Sequence, residues 1–186
     1  MMNETRGVLT VGMILTALLL VSCASVGPGG AAFTAYRESM LNGGRHLLDK
    51  EYQPALDDFL RANSSDPTRS MPLALAGQVT YNLGDLSRAS SYLSQAMAVK
   101  NDSYAYLIIK GYQALIAFKQ EKHKEGITAL GDYVSAYRVS YPDTTYRDVE
   151  RMYKLAVATG DVPIAELEPV ITHQITRYEI QLFKAF

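Results

Sequence analysis

The chain has 186 residues, of which 48% are apolar and 20% are charged, and its formal net charge at pH 7 is −1. This composition excludes a disordered protein, which would have fewer apolar residues and more net charge, and a basic nucleic-acid-binding protein, which would have an excess of lysine and arginine. Because Cys23 is the only cysteine, a framework of disulfides within the chain is excluded as well.

The first predicted element is an uncharged apolar segment, residues 8–21, which follows a short polar start that carries Arg6. As a helix this segment would span about 21 Å, which is less than the roughly 30 Å of a bilayer hydrocarbon core. A cleaved secretory signal peptide therefore explains the segment better than a transmembrane anchor does.

The apolar segment ends in Leu20, Val21, Ser22 and Cys23, which together resemble the lipobox of bacterial lipoproteins. The resemblance implies that the signal peptide is cut before Cys23 and that the cysteine is acylated, and two or more acyl chains anchor a protein stably. Bacterial lipoproteins that stay in the inner membrane have Asp after the acylated cysteine. This chain has Ala24 at that position, so the resemblance implies that the protein is anchored in the outer membrane and faces the periplasm. The alternative is an unmodified cysteine inside the apolar segment.

Residues 24–32 (ASVGPGGAA) contain three glycines, one proline and no large side chain. Such a segment has little to pack and is typical of a flexible tether, whereas a phosphate-binding loop would need a preceding apolar strand. We therefore expect a signal peptide at residues 1–22, a lipidated amino terminus and tether at 23–32, and one globular domain at 33–186.

The globular domain contains an internal repeat of 34 residues. Matching residues at this spacing are Gly43 and Gly77, Ala55 and Ala89, Phe59 and Leu93, and Ala62 and Ala96. Small residues at fixed positions allow helices to approach closely. The pattern resembles the tetratricopeptide (TPR) repeat, which has the same period. The resemblance implies an all-α solenoid of helical hairpins, in which the first helix of each hairpin lines a concave face.

The third unit is less regular than the first two. Gly111 keeps the spacing, but three extra residues lie in the polar turn at 120–124, and Tyr133 stands where the first two units have alanine. A fourth unit starts from the turn pair Gly160-Asp161, and we expect Pro169 to break its second helix. The sequence therefore predicts two clear and two degenerate hairpins.

Beyond Pro169 the chain has an apolar stripe at helical spacing, formed by Ile171, Ile175, Tyr178, Leu182 and Phe186. This stripe predicts an amphipathic helix. A repeat array needs its terminal apolar face covered, so we expect the helix to cap the last hairpin. The alternative is a helix whose apolar face docks a partner helix or the membrane surface.

No catalytic residue, metal site or cofactor is predicted. The histidines His46, His123 and His173 lie in separate units without ligand spacing, and the chain has no motif for an activated nucleophile. The adjacent carboxylates Asp57 and Asp58 are predicted to lie on a solvated helix face.

The TPR resemblance implies ligand contacts at fixed positions on the first helix of each hairpin. Some TPR proteins bind the terminal carboxylate of a peptide with a clamp of basic residues and asparagines. Of these clamp residues, only Asn82 is present here. The groove is apolar and rich in tyrosine, and we expect it to accept an apolar helix or extended segment, from a partner or from this chain. The alternative role of the tyrosines is packing between helices. Carried over by register, the candidate contacts are Met40, Gly44, Leu47, Leu48, Ala74, Gln78, Tyr81, Asn82, Ile108, Tyr112, Leu115 and Ile116.

The anchor, the tether and the repeats together predict a non-enzymatic adaptor. It would be an outer-membrane lipoprotein that binds protein partners, but no nucleic acid, and scaffolds an envelope assembly for secretion, pili, polysaccharide export or outer-membrane biogenesis. The alternative is a carrier that holds a small apolar or glycan ligand between the hairpins and the carboxyl-terminal helix. A third class, an enzyme of cell-wall turnover, would need convergent acid and base groups that the sequence does not provide.

Overall fold

A computed structural model describes residues 28–99, 103–140 and 146–184. These residues form helices and turns and contain no strand, which confirms the prediction of an all-α fold. The chain divides into two compact units, Met1–Ala32 and Phe33–Phe186. Of the first unit, the structure describes only residues 28–32. The helices are α1 (Pro28–Leu48), α2 (Tyr52–Ser65), α3 (Met71–Asn82), α4 (Leu86–Ala98), α5 (Ser103–Lys119), α6 (His123–Ser140), α7 (Tyr146–Thr159) and α8 (Ile164–Lys184).

The helices follow one another in four pairs, α1–α2, α3–α4, α5–α6 and α7–α8, and short turns join the members of each pair. Each turn contains one residue with a left-handed backbone: Lys50 (φ 61°), Gly84 (φ 84°), Glu121 (φ 59°) and Gly160 (φ 81°). Because this backbone ends a helix and reverses the chain, all four pairs are helical hairpins.

The first three turns share one hydrogen-bond pattern. The residue after the left-handed position donates its N–H to a carbonyl five residues back, and the left-handed residue itself donates to a carbonyl three residues back, which is the Schellman motif. In the turn after α1, Glu51 donates to His46 and Lys50 donates to Leu47. In the turn after α3, Asp85 donates to Thr80 and Gly84 donates to Tyr81. In the turn after α5, Lys122 donates to Ala117 and Glu121 donates to Phe118. The first two sets are 34 residues apart, and the third is displaced by the three inserted residues.

Repeated small residues allow close packing inside the first two hairpins. A Cβ atom on Gly43 would lie 2.7 Å from Cε1 of Phe59, and a Cβ atom on Gly77 would lie 2.7 Å from Cδ2 of Leu93. These glycines therefore occupy equivalent contacts, one repeat apart. The repeated alanines are fully buried, which allows the close approach expected of small residues: Ala55, Ala62, Ala89 and Ala96.

The core is built around α3 and α5. Every residue of α3 from Met71 to Tyr81 is buried, and α3 packs against α2, α4 and α5. Helix α5 packs against α3, α4, α6 and α8. The first helices of the first three hairpins, α1, α3 and α5, all contact α8, and we name the surface that they form the inner surface of the hairpins.

The prediction that Pro169 breaks a helix is wrong, because α8 continues through it from Ile164 to Lys184. Proline removes the hydrogen bond to the carbonyl of Ala165, but Pro169 and Ala165 are both exposed, so water can replace the lost donor. Downstream, the Thr172 hydroxyl donates to the carbonyl of Glu168 at 2.8 Å. The fourth hairpin thus has a long second helix instead of an interrupted one.

Asp58 does not lie on a solvated face, which corrects the prediction for this residue. It is 1% exposed, and its carboxylate pairs with Nδ1 of His46 at 2.8 Å and with the Arg61 guanidinium. Asp57 is exposed. The buried carboxylate joins α1 to α2, so His46 serves packing of the first hairpin.

Helix α1 begins at Pro28, so the last part of the predicted tether is helical. The signal peptide, Cys23 and Phe186 lie outside the described residues. Within the described part of the chain, no helix combines the length and apolar character needed to span a membrane.

Candidate functional site

Helix α8 lies along the inner surface of the hairpins and contacts helices far from it in the chain. The Tyr81 hydroxyl of α3 donates to Glu168 Oε1 at 2.7 Å, and the Tyr133 hydroxyl of α6 donates to Gln174 Oε1 at 2.9 Å. A Cβ atom on Gly44 of α1 would lie 2.5 Å from the ring of Phe183, so the absence of a side chain at Gly44 makes room for that ring.

The apolar stripe of α8 faces this surface. Ile171, Ile175 and Tyr178 are buried, Leu182 is partly buried against the core, and the rings of Tyr104 and Tyr178 meet edge to face with centroids 4.7 Å apart. The helix therefore packs along the first, second and third hairpins as well as against its own partner α7.

The structure does not bring all the candidate groove residues together at one site. Leu47, Leu48, Gln78, Asn82 and Tyr112 line one cleft together with residues of α8. The remaining candidates are dispersed: Ile108 lines a separate small cavity, Ile116 lines a cleft beside α4 and α6, Tyr81 pairs with Glu168, and Met40, Ala74 and Leu115 are fully buried. Among the described residues, no single groove therefore joins these positions, because several of them are packed inside the core and the others line separate clefts.

The cleft beside α8, which we name the α8 cleft, has a volume of about 430 Å³. It combines apolar, aromatic and polar side chains from α1, the turn after it, α2, α3, α5 and α8. Its lining residues are Leu47, Leu48, Lys50, Tyr52, Gln78, Asn82, Tyr112, Glu168, Pro169, Thr172, Thr176 and Glu179.

Two polar side chains of the α8 cleft are buried, Gln78 at 3% exposure and Glu179 at 2%. The Gln78 side chain lies near the Glu179 carboxyl group and lowers its pKa. One oxygen of each side chain, Oε1 of Gln78 and Oε1 of Glu179, has no hydrogen-bond partner. Since a buried acceptor without a donor costs free energy, this pair distinguishes the cleft from ordinary packing.

The electrostatics of the cleft follow from burial. Removal from water raises the pKa of Glu179 from 4.5 to about 7, and the Gln78 side chain opposes this increase only in part. Burial, followed by the nearby Glu179, raises the pKa of the Tyr112 hydroxyl. Glu168, at the rim, accepts hydrogen bonds from Tyr81 and from the Lys119 ammonium at 3.0 Å, so its charge is already compensated.

A second cleft of about 420 Å³ lies among α4, α5 and α6 and is basic. Lys110, Lys122 and Lys124 line it, with Glu125 nearby, and Lys110 pairs with Asp132 at 2.9 Å. Among the described residues, none of the buried side-chain atoms that lack a hydrogen bond lies on this cleft. The α8 cleft is therefore the better candidate site.

The histidines do not converge. His46 pairs with Asp58, Nδ1 of His123 lies 3.1 Å from Oδ1 of Asp161, and His173 is exposed. In the ranges that the structure describes, no three His, Cys, Asp or Glu side chains are close enough together to hold a metal ion.

Glu179 was not among the site residues predicted from the sequence. The signal was present, because Glu179 continues the spacing of Ile171 and Ile175 and so interrupts the apolar stripe of α8 with a carboxyl group. A charged residue inside an apolar stripe is rarely buried without a partner, and this rule could have identified it.

Neither a known protein family nor a curated protein matches this chain.

Proposed function

We propose that this protein is a lipid-anchored, non-enzymatic scaffold of the outer membrane, which uses its TPR-like hairpins to bind a protein partner of an envelope assembly in the periplasm. The lipobox at Cys23 supports the anchor, and the repeat supports the binding role. Such assemblies include those for secretion, pili, polysaccharide export and outer-membrane biogenesis.

The main observation in support of the proposal is the set of contacts between the hairpins and α8. Their inner surface engages an amphipathic helix through an apolar stripe, through two tyrosine hydroxyls, and through a glycine that accommodates a phenylalanine ring. Helix-in-groove recognition uses the same elements between separate chains. A partner helix with a comparable stripe would therefore compete with α8 for this surface.

The test is affinity capture from detergent-solubilised envelopes with the tagged full-length chain. Ile175→Asp places a charge at a buried position of α8, and Ile180→Asp places the same charge at a position that is 39% exposed. We expect one defined protein with the unmodified chain, more of it with Ile175→Asp, and no change with Ile180→Asp. A synthetic peptide of residues 164–184 should reduce this capture.

Circular dichroism of the variants shows whether Ile175→Asp keeps its helices, because an unfolded chain would capture proteins non-specifically. The proposal fails if repeated captures return only background proteins. It also fails if the peptide does not reduce the amount of the recovered protein.

A further inference from the structure

The alternating direction of the helices gives the hairpin array two edges. The starts of α1, α3, α5 and α7, the ends of α2, α4 and α6, and the links between hairpins lie at one edge, which we name the link edge. The tight turns within the hairpins lie at the opposite edge, which we name the turn edge. The Arg69 guanidinium, in the link between α2 and α3, lies 4.9 Å from the ring of Tyr36 in the first half of α1, which agrees with this arrangement.

The chain limits how far the array can lie from an anchor at Cys23. Helix α1 begins at Pro28, five residues after Cys23, and five residues span at most about 18 Å when fully extended. Leu48, where α1 reaches the turn edge, lies about 30 Å from Pro28 along the helix axis. A membrane that holds Cys23 is therefore adjacent to the link edge, and the turn edge is further away.

Large apolar side chains are exposed at the link edge. Phe33 near the start of α1 is 50% exposed, Val139 near the end of α6 is 86% exposed, and Tyr104 in the first turn of α5 is 37% exposed. Aromatic and aliphatic side chains of this kind gain free energy at the boundary between headgroups and acyl chains of a bilayer. Leu48 and Leu83 are 41% exposed at the turn edge, so apolar exposure alone does not select an edge, whereas the reach of the chain from Cys23 does.

The charged residues of the link edge suit an anionic surface. Three exposed arginines lie there: Arg37, Arg138 and Arg147. Two exposed carboxylates, Glu38 and Asp148, lie beside them, so the arginines leave one positive charge in excess. Neither Arg138 nor Arg147 forms an ion pair within the described part of the chain. A basic residue close to a membrane with anionic lipids strengthens binding to it.

We propose that the link edge docks on the anionic phospholipid surface of the membrane that carries the anchor, with Phe33, Tyr104 and Val139 at the level of the headgroups and the arginines at the phosphates. Arg37 lies four residues after Phe33 and therefore on the same face of α1. Docking fixes the orientation of the array, so that the α8 cleft, which includes Lys50 of the first turn, opens away from the membrane. The inference rests on the anchor of the proposed function and adds an orientation to it.

The experiment uses tryptophan fluorescence, because the chain contains no tryptophan of its own. Full-length Phe33→Trp is reconstituted into vesicles of phosphatidylcholine with brominated acyl chains, with and without phosphatidylglycerol. Leu83→Trp is the matched control, since Leu83 is exposed to a similar extent at the turn edge. With phosphatidylglycerol, we expect Phe33→Trp to emit at a shorter wavelength and to be quenched by bromine, and Leu83→Trp to do neither.

The arginines are tested in the Phe33→Trp chain. Arg138→Ala and Arg147→Ala should each lower the ratio of docked to free domains about fivefold, and added salt should do the same by screening. The control is Arg88→Ala, an exposed arginine at the turn edge, which should leave quenching unchanged.

Flotation of the vesicles separates the anchor from the docking. A chain that floats with them, but in which Phe33→Trp is not quenched or Leu83→Trp is quenched equally, would overturn the docking and leave the anchor intact. A chain that does not float would overturn both. Quenching of Phe33→Trp that phosphatidylglycerol does not increase would overturn the recognition of an anionic surface. If Phe33→Trp did not fold, Val139→Trp would decide the same question from α6.

Discussion

Glu179 places a carboxyl group where the packed helices leave it 2% exposed, and this position makes stability depend on pH. Below about pH 4.5 the group is protonated in both the folded and the unfolded chain. Between pH 4.5 and about 7, only the unfolded chain releases the proton, so the free energy of unfolding decreases as the pH rises. The full loss is roughly 3 kcal/mol above pH 7.

Glu179→Gln should remove this dependence, because the amide is neutral at every pH. We expect the variant to be more stable than the unmodified chain at about pH 8, and to lose that advantage at about pH 5. Urea denaturation at the two pH values measures the difference. A variant that is destabilised equally at both would show that Glu179 is ionised and held by compensating contacts.

Glu121 has a left-handed backbone (φ 59°), which is unfavourable for a residue with a side chain. It is exposed in the turn between α5 and α6. Glu121→Gly should therefore raise the free energy of unfolding by roughly 1 kcal/mol, since glycine adopts this backbone without steric cost. In the same turn, Gln120→Gly has no left-handed position to relieve and should be neutral or destabilising. Equal effects of the two changes in urea denaturation would contradict this explanation.

At the scale of the element, α8 is expected to contribute much of the stability of the domain. A chain that ends after Thr172 would lose Ile175 and Tyr178, which are buried, and would uncover Tyr112 and Gly44. Each fully buried apolar side chain contributes about 1.5–3 kcal/mol, so the truncated chain should melt at a much lower temperature and aggregate. A thermal melt unchanged by the truncation would show that α8 is a detachable docking helix.

The hairpins could be predicted from the sequence because their determinants are local. The spacing of Gly43 and Gly77, and the turn at Gly84, specify helix contacts and chain reversals through neighbouring residues. The course of α8 could not be predicted in the same way. The stripe of Ile171 and Ile175 indicates that one face is buried, but periodicity does not state which helices cover it.

The candidate site was predicted only in part for the same reason. Leu47, Gln78 and Tyr112 do line one cleft, since they share the inner face of successive hairpins. The cleft is completed by Glu179 and Glu168 from α8. The TPR register predicted ligand contacts only on the first helix of each hairpin, so these two residues of α8 were not part of the expected site.

At the scale of the whole molecule, the anchor can be tested separately from the fold, since Cys23 precedes the globular domain predicted at residues 33–186. Cys23→Ser should abolish incorporation of labelled palmitate and leave unprocessed precursor, because in the lipobox interpretation the thiol is the group that is acylated. Labelling in cells, followed by fractionation of the membranes, measures both effects. Normal palmitate incorporation by the variant would exclude the lipobox interpretation.

The contacts of α8 also determine how the domain unfolds. In an ordinary repeat array each unit touches only its neighbours, so stability is a sum over units and the ends can fray independently. Here α8 connects Gly44 of the first hairpin, Tyr81 of the second and Tyr133 of the third to the fourth. Opening any one hairpin therefore also breaks contacts of α8, and the domain should unfold in a single cooperative transition. These distant contacts also raise the contact order, so the last step of folding should be slower than the formation of any hairpin.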